Sequence, residues 1–97
     1  MNHCASERLQ VADGELNAAY NKARAYMREL DSASTAGMKG AAIALRDAQR
    51  AWIVFRDKAC ASDGFRFRGG TMEPLVVATC KTRLTLQRTK ELLWIVE

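Results

Sequence analysis

Two stretches of this chain place apolar residues at alternating steps of three and four, a third repeats the helical spacing less regularly, and two turn-rich gaps separate them. The first runs Leu9, Ala12, Leu16, Ala19, Ala23, Tyr26 and Leu30. Steps of that size fall on one side of a helix with 3.6 residues per turn, so the spacing predicts an amphipathic helix over residues 2–30. Glu7, Arg8, Asp13, Glu15, Lys22, Arg24 and Arg28 form its wet face. The second seam is Met38, Ala41, Leu45, Ala48, Trp52, Phe55 and Ala59. Ile53 and Val54 widen its apolar face, which predicts a central helix touched from two sides. The third presents Val77, Cys80, Leu84, Arg88, Glu91, Leu92 and Ile95. An arginine on that seam either extends along it toward water or pairs with a buried acid.

The gaps carry their own signals. Asp31 to Gly37 is a small, polar run without periodicity and so a loop, with Ser34 or Thr35 as the cap of the next helix. Ser62 to Gly70 is the second break. Thr71 then reads as an N-cap, with Glu73 and Pro74 in a first turn that suits an acid and costs proline no hydrogen bond. Two short loops joining three long helices predict an all-α fold, a three-helix antiparallel bundle running up, down and up. At 97 residues the chain is expected to form one domain.

In that bundle the start of the first helix, the end of the second and the start of the third meet at one end. Cys4, Cys60 and Cys80 therefore lie together, and any pairing among them is reachable. They fit no close-spaced metal pattern, and the lone His3 has no companion at ligand spacing, so neither a metal nor a cofactor is expected. No stretch approaches the ~20 apolar residues of a membrane span. Met1-Asn2-His3 is not a signal peptide, and the abrupt opening into a helix reads as a mature fragment. The net charge of +4 and the pI near 9.3 give a weak attraction to anionic partners. The basic residues are spread over all three helices and interleaved with acids. That pattern lacks the continuous stripe of a nucleic-acid binder, so no nucleic-acid partner is expected.

No catalytic residues are assigned. Asp13 and Glu15 sit two apart and face different sides of a helix. No histidine accompanies them or Asp57, and no serine, threonine or lysine stands as a nucleophile beside a base. Gln49, Trp52, Arg56 and Asp57 have a structural reading instead. Arg56 lies one turn from Trp52 and can stack on it while reaching an acid on the first helix, and Asp57 can reach a base on the third. Asp13, Asn17, Tyr20 and Arg88 join the same polar seam, which fixes how the helices align. The candidate binding surface is the loop of Phe65, Arg66, Phe67, Arg68, Gly69 and Gly70, where aromatic and cationic side chains alternate at a tip. The plainer alternative packs one phenylalanine into the bundle end and leaves the arginines solvated.

Three groups of residues carry a family resemblance. Met1-Asn2-x-Cys4-Ala5-x-Glu7 and Ala12-Asp13-x-Glu15-Leu16-Asn17-x-x-Tyr20 open the chain. Leu45-Arg46-x-Ala48-Gln49-Arg50-Ala51-Trp52-Ile53-x-Phe55-Arg56-Asp57-x-x-Cys60 forms its centre. Gly69-Gly70-Thr71-Met72-x-Pro74, Cys80 and Arg83-Leu84-Thr85-x-x-Arg88-Thr89-x-x-Leu92 close it. Together they resemble the LprI-type family of small secreted bacterial proteins, named for a lysozyme inhibitor. The resemblance implies a periplasmic, secreted or lipoprotein-anchored location, a non-enzymatic role and a lysozyme-type hydrolase as partner. A structural envelope domain that uses the same fold without touching lysozyme is the rival. The family usually has four cysteines, and the one expected a few residues before Cys4 is missing here. With Cys4 awaiting that upstream partner, Cys60 and Cys80, which flank the glycine-rich loop, are predicted to pair and to staple one end. The bond would contribute roughly 3 kcal/mol in the chain-entropy view. A Cys4–Cys60 bridge is the main alternative.

Overall fold

The computed structural model describes residues 2–97. Helix α1 spans Asn2–Ala33, α2 spans Ala41–Gly64 and α3 spans Met72–Ile95. Single 3-10 turns, Ala36–Met38 and Phe65–Phe67, lie in the two connections, and the described residues contain no strand. Cross-helix contacts give the directions. Arg56 meets Asp13 while Ala41 meets Asp31, so α1 and α2 run antiparallel. Gln49 meets Arg88, Arg56 meets Thr85 and Cys60 meets Cys80, so α2 and α3 do too. The result is an up-down-up rod of 55 × 21 × 15 Å.

On α1 the expected seam faces inward over most of its length. Ala12, Leu16, Ala19 and Ala23 are buried, with Ala5 added at the amino end. Four of these five are alanines, which let a neighbouring backbone approach closely. Helix α3 takes that place, and α1–α3 is the most extensive of the three helix contacts. Tyr26 and Leu30 lie outside the seam and are exposed.

Helix α2 departs from the expectation in two ways. Leu45 and Trp52 of the expected seam do face inward, but Gln49, Cys60 and Gly64 are buried beside them and Arg56 is half-buried, whereas Met38, Ala48 and Phe55 are exposed. It is also not the central helix, because α1 and α3 pack on each other while α2 lies more against α3 than α1. Both differences have one cause. Burial of apolar area is non-directional, while the contacts of Arg56 and the Cys60–Cys80 bond each demand a particular rotation of α2. The directional contacts win, and Ile43, Val54 and Phe55 are left in solvent.

The apolar core lies in the half of the rod away from the disulfide. Leu16, Ala19, Ala23, Leu45 and Leu92 form it, and Tyr20, Met27, Trp52 and Leu93 pack around it. On α3, Thr85 and Thr89 are buried as well. The Thr89 hydroxyl donates to the Thr85 carbonyl at 2.9 Å, which satisfies it within its own helix.

The start of α2 is capped from a distance. Ser34 donates back to the Leu30 carbonyl, and neither it nor Thr35 caps α2. The cap is Asp31, in the last turn of α1. Its carboxylate accepts the backbone N–H of Gly40 at 2.9 Å, of Ala41 at 2.8 Å and of Ala42 at 3.1 Å. The chain enters the helix through Gly40 at φ +130°, a backbone region that strains any residue with a side chain. Lys39 adds a contact from its ammonium to the Asp31 carbonyl. The three N–H donors, that of Ala42 foremost, hold the Asp31 carboxyl below its ordinary pKa. A depressed carboxylate stabilises the fold fully above its unfolded pKa of about 3.9, and that contribution is lost as pH falls through the lower folded value. Asp31→Ala should therefore lower Tm at neutral pH, and the deficit should shrink below about pH 4. Thermal melts across pH check this, and a deficit of equal size at about pH 2 and pH 7 contradicts it.

Candidate functional site

Between the apolar core and the disulfide, the guanidinium of Arg56 crosses the bundle. Its Nη1 lies 3.2 Å from Asp13 Oδ1 on α1 and 3.2 Å from Thr85 Oγ1 on α3. Its Nε donates to Asp57 at 3.0 Å, and its carbon lies 5.4 Å from the centre of the Trp52 ring. Asp57 also faces Lys81 of α3 at 3.7 Å. Two turns from Arg56 on α2, Gln49 accepts from Arg88 of α3 at 2.9 Å, and Arg88 also donates to Glu91 at 3.2 Å. The cross-helix partner of Arg88 is thus a buried amide, and its acid is an exposed neighbour on its own helix. Of the expected polar seam, Asp13, Gln49, Trp52, Arg56, Asp57 and Arg88 are engaged in these contacts. Tyr20 packs against the apolar core instead, and Asn17 is exposed. Asp13 and Asp57 both bond the one guanidinium, which ties α1 to α2.

Cys60 and Cys80 are disulfide-bonded with Cα atoms 5.4 Å apart, closing the end of the bundle below the second connection. The alternative Cys4–Cys60 bridge is thereby excluded, and Cys4 is exposed and unbridged among the described residues. One turn beyond Cys60, Gly64 is buried against α3. A Cβ there would stand 2.6 Å from Val77 Cγ2, too close for a branched side chain to yield cheaply. The connection then projects past this tight contact.

Its charges are internally paired. Arg66 meets Asp63 at 2.8 Å, and Arg68 meets Glu73 at 3.2 Å. The other Glu73 oxygen accepts the N–H of Gly69 at 3.1 Å, where φ is +81°. Thr71 makes no side-chain cap; Glu73 in the first turn of α3 fastens the loop in its stead. The arginines also lie over the aromatics, Arg68 at 4.5 Å from the Phe65 ring centre and Arg66 at 5.6 Å from that of Phe67. Both phenylalanines keep much surface in solvent, Phe65 58% and Phe67 39% exposed. Beside them is a hollow of about 440 Å³, lined by Phe65, Arg68, Pro74, Val77 and Lys81.

A sequence model of the family described as "Lysozyme inhibitor LprI" matches residues 1–92. The chain belongs to the LprI family. It is also 44% identical over 95 residues to an uncharacterized protein of Rhizobium meliloti (strain 1021), an alignment covering 95% of this chain and 68% of that relative. No solved structure matches it.

In this LprI-family chain, sequence reasoning missed Thr85 and Lys81 as partners of Arg56 and Asp57. Thr85 carried a usable signal, lying one turn before Thr89 and two before Leu92 on a single face of α3. The energetic weight of the two arginine sets differs. Arg56 has a side chain only 13% exposed, and removing it leaves the buried Thr85 hydroxyl without its donor. Arg56→Ala should cost roughly 2–3 kcal/mol. Arg68 is 68% exposed, and an exposed pair of that kind contributes about 1 kcal/mol or less. Urea denaturation of the two variants checks the ranking; equal losses, or a larger one for Arg68→Ala, contradict it.

Proposed function

We propose that the chain is a non-enzymatic, periplasmic or secreted binding protein that blocks the cleft of a lysozyme-type hydrolase with its loop from Phe65 to Gly70. Membership of an inhibitor family over residues 1–92 supports an inhibitory rather than a catalytic role. No described helix is long and apolar enough to cross a membrane. The observation that carries the choice of surface is the loop's own construction. Two exposed aromatic rings, each covered by a guanidinium, project from a base closed by a disulfide, a glycine contact and the Glu73 clasp. A loop held this way loses little freedom on binding, so more of its contact energy appears as affinity.

The chemistry suits the target. Lysozyme-type hydrolases carry paired carboxylates flanking the scissile bond in a cleft. Arg66 or Arg68 can exchange Asp63 or Glu73 for such a carboxylate, while Phe65 and Phe67 fill sugar-sized apolar space. Net charge does not help: a +4 chain gains no long-range steering toward a basic hydrolase, so local contacts must supply the affinity.

Purified, oxidised protein in excess is expected to slow lysis of bacterial cell walls by lysozyme. Arg66→Ala combined with Arg68→Ala should raise the half-inhibitory concentration about tenfold or more, equivalent to about 1.4 kcal/mol. A double variant that inhibits as well as the parent removes the loop from the contact. A parent that inhibits no lysozyme removes the inhibitor role itself.

A further inference from the structure

Eight of the ten arginines of this chain fall into three groups, and one group is largely without partners; Arg8 and Arg83 lie apart from them, beside Ala5 and Thr79. Arg56 and Arg88 hold the bundle together, and Arg66 and Arg68 are paired within the loop. Arg24 and Arg28 of α1 and Arg46 and Arg50 of α2 line a common groove between those two helices. Among the described residues Arg24, Arg28 and Arg50 form no ion pair, and Arg46 holds only its neighbour Asp47, at 3.1 Å. Several like charges around one concavity repel each other, and an anionic occupant relieves that repulsion.

The groove is also apolar. Leu16 and Tyr20 on α1 and Ile43 and Ile53 on α2 contribute to its lining, and its volume is about 540 Å³. Ile43 is 57% and Ile53 40% exposed, large aliphatic surface left in water without a partner. The groove exists because α1 and α2 make the least contact of the three helix pairs, a consequence of α2 turning its polar residues inward.

We propose that this groove docks an acidic amphipathic helix from a partner protein, which adds a fourth helix to the bundle. The proposal does not depend on the lysozyme reading, whose loop is at the disulfide end. Three features select a helix over other anions. Leu16 to Arg28 spans about 18 Å at 1.5 Å per residue, enough for some three turns of a docked helix. Each wall carries its arginines four residues apart, the same step at which carboxylates repeat on one side of a facing helix. The apolar floor between the two walls suits the hydrophobic stripe of such a helix in a groove-binding mode. A nucleic acid would leave that floor uncovered. A membrane surface is flat, whereas these guanidinia line a concavity.

The test uses a synthetic helical peptide of about 15 residues, with leucines on one stripe and glutamates flanking it, and a control with glutamine for every glutamate. Isothermal titration against the oxidised chain should give micromolar binding of the acidic peptide, weakening as salt rises, and at least tenfold weaker binding of the control. Arg24→Gln combined with Arg50→Gln should weaken the acidic peptide tenfold or more, with Tm not lowered and lysozyme inhibition unchanged. Ile43→Ser, on the exposed face of α2, provides a second variant and should also weaken binding. Absent binding, or equal binding of the two peptides, overturns the proposal. So does arginine-dependent binding to phosphatidylglycerol vesicles without binding to the acidic peptide, which would assign the groove to a lipid surface.

Discussion

Among the described residues Arg56 is the one side chain that bonds to all three helices, and its guanidinium needs acceptors in fixed directions. Asp13 lies on one side, Thr85 on another, and Asp57 beside it on the same helix. For these to be reached together, α2 must present the face bearing Gln49, Arg56 and Cys60 to its neighbours. That rotation brings Cys60 to Cys80 and Gln49 to Arg88. It also turns Ile43, Val54 and Phe55 outward, although they are more hydrophobic than the residues that replace them. A charged layer of this kind contributes less net stability than its contacts suggest, because desolvation offsets much of the attraction. What it does supply is a single alignment, since any slip of α2 leaves a half-buried guanidinium and a buried hydroxyl without partners.

What the sequence made legible follows from which contacts are local. The seam of α1 could be read because Ala12, Leu16, Ala19 and Ala23 face α3 with no polar group competing for the same side. The breaks after α1 and α2 could be read from their glycines and small polar residues. The phase of α2 could be read only in part: Leu45 and Trp52 of its seam do turn inward, whereas Ala48 and Phe55 do not. Its apolar period points Ala48 and Phe55 inward, and what overrides it is a set of partners 20 to 43 positions away, invisible to the periodicity of one helix. The α2 cap was missed for a similar reason. Ser34 and Thr35 are the nearest capping residue types, but Asp31 delivers its carboxylate across a nine-residue turn. At the candidate loop, the alternation of phenylalanine and arginine was visible in the sequence. The pairing of Arg66 with Asp63 and Arg68 with Glu73 needed the coordinates.

The two surfaces of the molecule follow from this arrangement. Because α1 and α3 form the tight pair and α2 is fixed by polar contacts and one disulfide, the disulfide end is rigid and presents a braced aromatic loop. The opposite half leaves a cationic groove along α1 and α2. The arginines of the loop are paired with acids, whereas those of the groove are largely unpaired.

The central claim, that the braced loop is what meets a hydrolase, is tested most directly by amide hydrogen exchange on the oxidised chain with and without saturating lysozyme. Slowed exchange is expected only in the connection and its base, from about Asp63 to Glu73, with the α1–α2 groove unchanged. Protection centred on Arg24, Arg28, Arg46 and Arg50, or no protection anywhere at saturation, would contradict it.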